Sequence, residues 1–394
     1  MYAVFSSQNQ VDYHLAMNNK SILVEGWRGI NHSYAMVNQY QLLEMHKMGL
    51  DLRHLDLPFF DERWNPVDND SGFEEDDKKI IASIEQASSI QIHDVTYRID
   101  FPYRFYPSRS EKLFVFGTSE YQNIDGYIYE NGLEEGIKNP QLTIITPSNW
   151  SKVGFLKAGF EESRVLVVPH GVNQKIYKPI SQLRKKQFRD ALKVSDEDFV
   201  ILSLGAMSSN KGIDILILAF VTLKAKFPHL KLVLKDSSNL YRYRIHDVLN
   251  NLCKQNPKLA SESISKSIIL MSDNLTLSQL NGLYGAADCY ASPYRAEGFN
   301  LTPLEAAASG TPIVVTKGGS TDDYFHESFA LQIEGKQATN NNHTAIEPSL
   351  DSLIEQLSIL IEGKATNLNT SDAQEFIGEN FTWHAAVNKL IDIF

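Results

Sequence analysis

From Phe199 onward, short apolar runs alternate with helix-like stretches, and this alternation constrains the fold more than any other feature. "FVILSLGAM" reads as a strand, and "KGIDILILAFVTLKAKF" as a helix that stops before Pro228. "LKLVLKDSS" and "YRYRIHDVLNNLCKQ" repeat the pair, and "SIILMSD", "TLSQLNGLYGAA", "DCYASP", "TPLEAAASG" and "PIVVT" carry it on to Thr316. Apolar strands, each followed by a helix, imply a parallel sheet covered on both faces. The first half is less regular. "SILVEGW" reads as a short buried strand, "RGINHSYA" as a turn, and "YAMVNQYQLLEMHKMG" as a helix with Gly49 as its C′ glycine. Further strands are expected at "SIQIHDVTYRI", "KLFVFGTS", "LTIITPS" and "RVLVVPHG", with "NDSGFEEDDKK" as an exposed loop or helix entry. A chain of 394 residues is too long for one ordinary core. The polar stretch Tyr177 to Leu183 is taken as the linker. The expected domains are 1–180 and 181–379, with a last helix, 380–394, packing back on the first.

Composition removes several classes of function. The net charge is -11 and no basic face is evident, which argues against a nucleic-acid partner. The short cluster Arg184, Lys185, Lys186 and Arg189 is either a solvated helix face or a weak anchor on an anionic membrane. Cys253 and Cys289 offer neither a disulfide framework nor a metal spacing, as expected of a reducing cytoplasm. The first twenty residues lack a basic stretch followed by an apolar one, and the longest apolar run, from Ile215, is too short to span a bilayer. The expectation is a cytoplasmic protein with at most peripheral contact at the inner face of a membrane. Asp68-Asn69-Asp70 and Asp196-Glu197-Asp198 lie in polar connectors rather than at strand ends, so no metal is expected. No G-x-G-x-x-G and no telling Ser/His/Asp arrangement support a dehydrogenase or a hydrolase.

Ligands of open parallel sheets bind at the carboxyl ends of the strands. The residues following the strands are therefore the site candidates: Gly205, Ala206 and Lys211; Lys235; Ser272, Asn274 and Leu275; and Arg295 to Leu301. In "RAEGFNLTPLEAAASG", Pro303 suits a first helical position with Thr302 as N-cap. The amides of Asn300, Leu301 and Thr302 would then form an anion site suited to a diphosphate, and Gly298 would permit close backbone approach. Glu305, three residues after Thr302, is either the acid of a capping box or a ligand of its own. Glu297, on the loop, has no capping role. Lys211 at a helix start opposes the helix dipole unless an anion sits there.

The Glu297-x7-Glu305 string in "EGFNLTPLEAAASGTPIVV" resembles the signature of family 4 glycosyltransferases, which have the GT-B fold. The resemblance is strong from Phe199 to Phe325 and looser before. "LGAMSSNKGIDILILAF", "VVPHGVN" and "GGSTDDYF" add to it. It implies an α/β chain of two Rossmann-like domains facing a central cleft, an acceptor-binding one followed by one that binds the donor. It implies Glu305 on the ribose hydroxyls of a nucleotide sugar and Glu297 near the reacting carbon. Phe299, Asn300 and Leu301 would hold the diphosphate and sugar through backbone amides, and Lys211 would pair with the phosphates. It further implies retention of anomeric configuration, a nucleotide diphosphate sugar as substrate with no separate cofactor, and a glycan or lipid-linked acceptor in bacterial polysaccharide assembly. UDP-glucose is the favoured donor. The pattern departs at Ala206, where the family often has Arg; Lys235 or Arg295 would have to supply that charge. On the first-domain side, Gly29, Asn31 and His32 are candidates for meeting the donor phosphates, or else form a simple strand–helix turn. His93, Arg98 and Glu120 are candidates for the acceptor side, or else loop packing, and His170 is expected to shape the hinge. A nucleotide-sugar binder without transfer activity, and a GT-B epimerase, are the rival functions.

Overall fold

A computed structural model describes residues 20–88, 91–241 and 243–394; the N-terminal stretch read for a targeting signal lies outside them. Two six-stranded, all-parallel sheets dominate. The first contains β1 (Ser21–Gly26), β2 (Asp51–Asp56), β3 (Val95–Ile99), β4 (Lys112–Phe116), β5 (Leu142–Thr146) and β6 (Val165–Val167), in the order β2-β1-β3-β4-β5-β6. The second contains β7 (Phe199–Gly205), β8 (Leu230–Asp236), β9 (Ile268–Met271), β10 (Cys289–Ser292), β11 (Ile313–Thr316) and β12 (Ala330–Ile333), in the order β12-β11-β10-β7-β8-β9. The strand order of the second sheet reverses between β7 and β10, and that of the first between β1 and β3. Such switch points open a crevice at the strand ends. β2 was not anticipated from the sequence: "DLRHLD" has two buried positions and four partly or fully exposed ones, as an edge strand does.

The chain passes between the sheets twice, and the two passages run side by side. Val172 forms a bridge with Thr382, and its amide donates to Phe381 O at 2.8 Å. Gly171 is required there, because a Cβ would lie 2.0 Å from the Trp383 nitrogen. His170 packs against this crossing, with Phe299 at 4.9 Å and Trp383 at 5.6 Å between ring centroids. Burial pulls its imidazole down to about 3, so it is a neutral packing group. The last helix, Trp383–Ile393, returns to the first sheet. Trp383 stacks on Tyr40 of the helix Ser33–Lys47 at 4.8 Å, and Phe394 lies 4.8 Å from Phe114.

A hairpin late in the chain also had no counterpart in the sequence reading. β13 (Gly335–Asn340) and β14 (His343–Pro348) form an antiparallel hairpin that reaches across to the first domain. Its Thr344 amide donates to Tyr121 O at 2.8 Å, and Lys157 Nζ donates to Thr344 Oγ1 at 3.1 Å. Three members of the basic cluster are engaged within the second domain, while Lys186 is exposed. Arg189 is buried and pairs with Asp288 at 3.1 Å, Lys185 pairs with the same carboxylate at 3.3 Å, and Arg184 bonds Ser278 O at 2.9 Å. Among the described residues, no helix is long and apolar enough to cross a membrane.

Candidate active site

The switch point between β7 and β10 gathers the most unusual side chains. β7 ends at Gly205, whose φ of +133° only glycine adopts readily, and a Cβ there would touch Lys211 Cε at 3.4 Å. The chain then turns through Asn210 and Lys211 to Gly212 and the helix Ile213–Lys224. Gly212 is left-handed, and a Cβ on it would lie 1.9 Å from Pro293 O. This contact presses the lysine turn against the exit of β10. Lys211 Nζ consequently meets Glu297 Oε1 at 2.5 Å in a mostly buried pair. Burial alone would lower the ammonium, but the Glu297 carboxylate outweighs it, so Lys211 is held firmly protonated.

Glu120, at the end of the β4 loop, joins them from the first domain. Its Oε2 accepts from Asn210 Nδ2 at 2.9 Å. Burial, then the charge of Glu297, push it up to about 7, against the pull of Lys211. Asn210 was not singled out by sequence reasoning, yet it ties three loops together. Its amide also donates to Ala296 O at 3.2 Å, and its carbonyl accepts from the Arg295 nitrogen at 2.6 Å. A polar residue between two glycine-punctuated ends was the available signal. The domains meet tightly here: a Cβ on Gly298 would lie 2.7 Å from Thr118, and Ser148 Oγ donates to Gly298 O at 2.6 Å.

The helix after this loop begins earlier than expected. It spans Leu301–Ala308, with Asn300 as a left-handed N-cap. Thr302 is therefore inside the first turn, its hydroxyl shared with Tyr290 at 2.8 Å, and the capping box with Glu305 does not form. Asn300 replaces it because its side chain bonds Ser292 Oγ at 2.9 Å and its carbonyl accepts from Tyr324, which fixes the left-handed turn. The amides of Leu301 and Thr302, in the first turn, have no intrahelical acceptor. Phe299 packs its ring into the core, 5.2 Å from Tyr324. Glu305 is buried, and Tyr284 donates to its Oε2 at 2.9 Å. Burial raises its carboxyl to about 7.

The sign of the resulting pH dependence follows from these carboxyls. A folded-state value above the unfolded one means that the folded chain binds more protons, so stability falls as pH rises between about 4.5 and about 7. Glu305→Gln is expected to flatten that fall by up to about 3 kcal/mol. Thermal unfolding of both proteins at pH 5 and pH 7.5 measures this; parallel curves would contradict it.

The other expected residues fall into three groups. Ser272, Asn274 and Leu275 follow β9, and the last two lean on the first domain. Asn274 Oδ1 accepts from Asn31 Nδ2 at 2.6 Å, its Nδ2 donates to Asp70 O at 3.1 Å, and Leu275 O passes 2.9 Å from the Cβ position of Gly72. Ser272 bonds the Asp236 carboxylate. His32 caps the helix Ser33–Lys47 and packs between Trp64 and Tyr241; burial lowers it to about 3, which removes it as a phosphate-binding cation. Gly29 donates to Gln39 Oε1 at 2.9 Å and lines a pocket of about 750 Å³ within the first domain, with Arg28, Asp56 and Lys78.

Three expectations are overturned by position. His93 precedes β3, so it sits at the amino end of the sheet, opposite the cleft. Arg98 is buried, bonding Glu25 Oε2 at 2.6 Å and the carbonyls of Arg104 and Tyr106; it holds a loop together and has no reach to an acceptor. Arg295 is bound to Asp214 at 2.8 Å and Glu347 at 2.7 Å, so it does not replace the arginine absent at Ala206. Lys235 is buried and donates to the Asp236 carbonyl at 2.9 Å, and burial lowers its ammonium. The Asp-x-Asp strings have local partners: Asp70 pairs with Lys78 at 2.9 Å, and Asp198 accepts from the Ser195 nitrogen at 2.8 Å.

Residues 184–360 match the family described as glycosyl transferases group 1. Mannosylfructose-phosphate synthase of Agrobacterium fabrum is 30% identical over 161 residues, 41% of this chain and 34% of that protein. Lipopolysaccharide 1,2-N-acetylglucosaminetransferase of Salmonella typhimurium is 24% identical over 266 residues, 64% of this chain and 62% of that one. The chain thus spans between about a third and under two thirds of these relatives' own lengths. Among solved structures, a glycosyltransferase from Rickettsia africae superposes with a TM-score of 0.70 at 13% identity, over 95% of this chain and 98% of the other. The Anabaena HepE protein, solved with UDP-glucose, gives 0.64 at 16%, over 95% and 99%. The fold is GT-B, and its second half contains a glycosyl transferases group 1 domain.

Proposed function

We propose that this chain is a retaining glycosyltransferase that moves a hexose from a nucleotide diphosphate sugar, UDP-glucose by preference, to a glycan or lipid-linked acceptor in polysaccharide assembly. The observation that carries the reading is the 2.5 Å Lys211–Glu297 pair at the β7/β10 switch point, beside the free amides that open the helix Leu301–Ala308. A cation and a helix N-terminus facing one crevice suit a leaving diphosphate, whose charge grows as the glycosidic bond breaks. On diphosphate binding, Lys211 exchanges its carboxylate partner for phosphate oxygens, and Glu297 is released toward the donor sugar. Lys235 is the remaining candidate for the charge missing at Ala206, because among the described residues its hydrogen bond is to a carbonyl and not to a carboxylate. Retention needs no protein nucleophile. The leaving phosphate oxygen accepts the acceptor's hydroxyl proton on the same face as the new bond. Glu305 faces the ribose diol, oriented by Tyr284.

Two observations favour the rival in which the sugar nucleotide is bound and not transferred: Ala206 lacks the phosphate-binding side chain, and Arg295 is already committed. A panel of UDP-, GDP- and ADP-sugars, with and without EDTA, separates the two. The expected result is slow, EDTA-insensitive release of UDP from UDP-glucose, lost in Glu297→Gln. Tight binding without release, with acceptors present, would favour the binder; no nucleotide binding would end both.

A further inference from the structure

We infer that the mouth of the cleft carries a saccharide-stacking shelf, with Phe60, Phe101 and Tyr127 from the first domain facing Tyr243 from the second, that seats the acceptor glycan and leads its reacting hydroxyl to Glu120. The inference deepens the transferase reading and rests on it. Phe60 is 63% exposed and Tyr243 is 56% exposed, which leaves much of two large rings in water. The rings are continuous rather than scattered. Phe60 lies 6.3 Å from Phe101, and Phe101 lies 5.4 Å from Tyr127, centroid to centroid, with planes inclined at 74° and 48°. Tyr127 is half buried, its carbonyl accepts from the Tyr103 nitrogen at 2.7 Å, and the Tyr103 hydroxyl accepts from the Thr118 nitrogen at 3.1 Å, two residues before Glu120. Trp64, 6.4 Å from Phe60, donates from its indole to Leu240 O at 2.9 Å, which brings the loop that carries Tyr243 to this wall. The row therefore runs from open solvent to the carboxyl that Asn210 holds beside Lys211 and Glu297.

The chemistry of the row selects its occupant. Sugar rings present apolar C–H faces, which stack on aromatic rings, and hydroxyls, which donate to carboxylates. This row has both: rings along its length, the exposed Glu62 two residues after Phe60, and Glu120 toward its inner end. The same acids oppose an anionic bilayer, as does the net charge of -11. The two walls belong to different domains, so an acceptor lying between Tyr127 and Tyr243 also favours the closed arrangement.

The test uses the full chain on an immobilised panel of gluco-, manno-, galacto- and N-acetylglucosamine oligosaccharides, with and without UDP. The wild type is expected to retain a discrete subset. The double variant Phe60→Ala/Tyr243→Ala is expected to lose at least about tenfold in that retention, and Phe60→Trp to keep it. Coincident melting curves show that the variants are folded. Retention of no saccharide by the wild type, or equal retention by the double variant, overturns the shelf. So does Phe60-dependent binding to phosphatidylglycerol vesicles in place of saccharides. Because the panel is also read without UDP, saccharide retention with no nucleotide binding would remove the donor reading and leave the shelf standing.

Discussion

Lys211→Ala should lower the rate of donor turnover at saturating donor by about 10²–10³-fold, the usual cost of removing one preorganised charge from a developing anion. Two consequences distinguish this from general damage. First, Lys211 pulls the Glu120 carboxyl down from where burial and Glu297 would otherwise place it. Without the lysine, two carboxylates share one buried crevice with no cation between them, so the Glu120 titration should move above about 7. Second, the Lys211 and Glu297 side chains are in direct contact, so their losses should not add. The Lys211→Ala/Glu297→Gln double variant should be little worse than the poorer single one. Steady-state release of nucleotide, measured from pH 5.5 to 9 for the wild type and the three variants, reads both effects. A rate within about threefold of wild type would show that the lysine does not meet the leaving group.

The parts legible in the sequence share one physical property: their signal is local. β7 to β11 could be read because strands apolar on both faces, separated by helices, need no knowledge of their partners. Gly205, Lys211, Glu297 and Gly298 stood out because they follow strand ends, and the structure places all four at one crevice. What could not be read depends on a distant partner. Arg98 looked available until Glu25, seventy-three residues earlier, was seen to hold it. Arg295 looked like a phosphate ligand until Asp214 and Glu347 closed on it from two other elements. Thr302 obeyed the local rules for an N-cap and lost to Asn300, whose left-handed turn is fixed by Ser292 and Tyr324. The hairpin β13–β14 was missed because every residue of β13 is exposed, and the alternate burial of Thr344, Ile346 and Pro348 in β14 includes one apolar strand former, Ile346. The basic cluster misled in the opposite direction, since Asp288, far along the chain, neutralises two of its members.

Gly212→Ala should be among the most damaging single-methyl substitutions in the chain, and it separates two roles of glycine. The residue has φ +66° and ψ +25°, so any side chain meets the left-handed penalty. Its Cβ would also lie 1.9 Å from Pro293 O, a backbone atom with no rotamer to yield. Backbone must move, and the elements that move carry Lys211 on one side and Glu297 on the other. The expected cost is about 2–4 kcal/mol, or a fall of roughly 5–15 °C in melting temperature. At a temperature where the variant is still folded, donor turnover should drop at least tenfold, since displacement of a charge by about 1 Å is enough to misplace it. Gly49→Ala is the matched control. Gly49 is equally left-handed, at φ +74°, but nothing lies within 4 Å of its Cβ position. It should cost about 1 kcal/mol and leave turnover unchanged. If the two variants behave alike in both measurements, the clamp between Gly212 and Pro293 does not position Lys211. If Gly212→Ala loses turnover well beyond its loss of stability, the placement of that one ammonium is what the glycine serves.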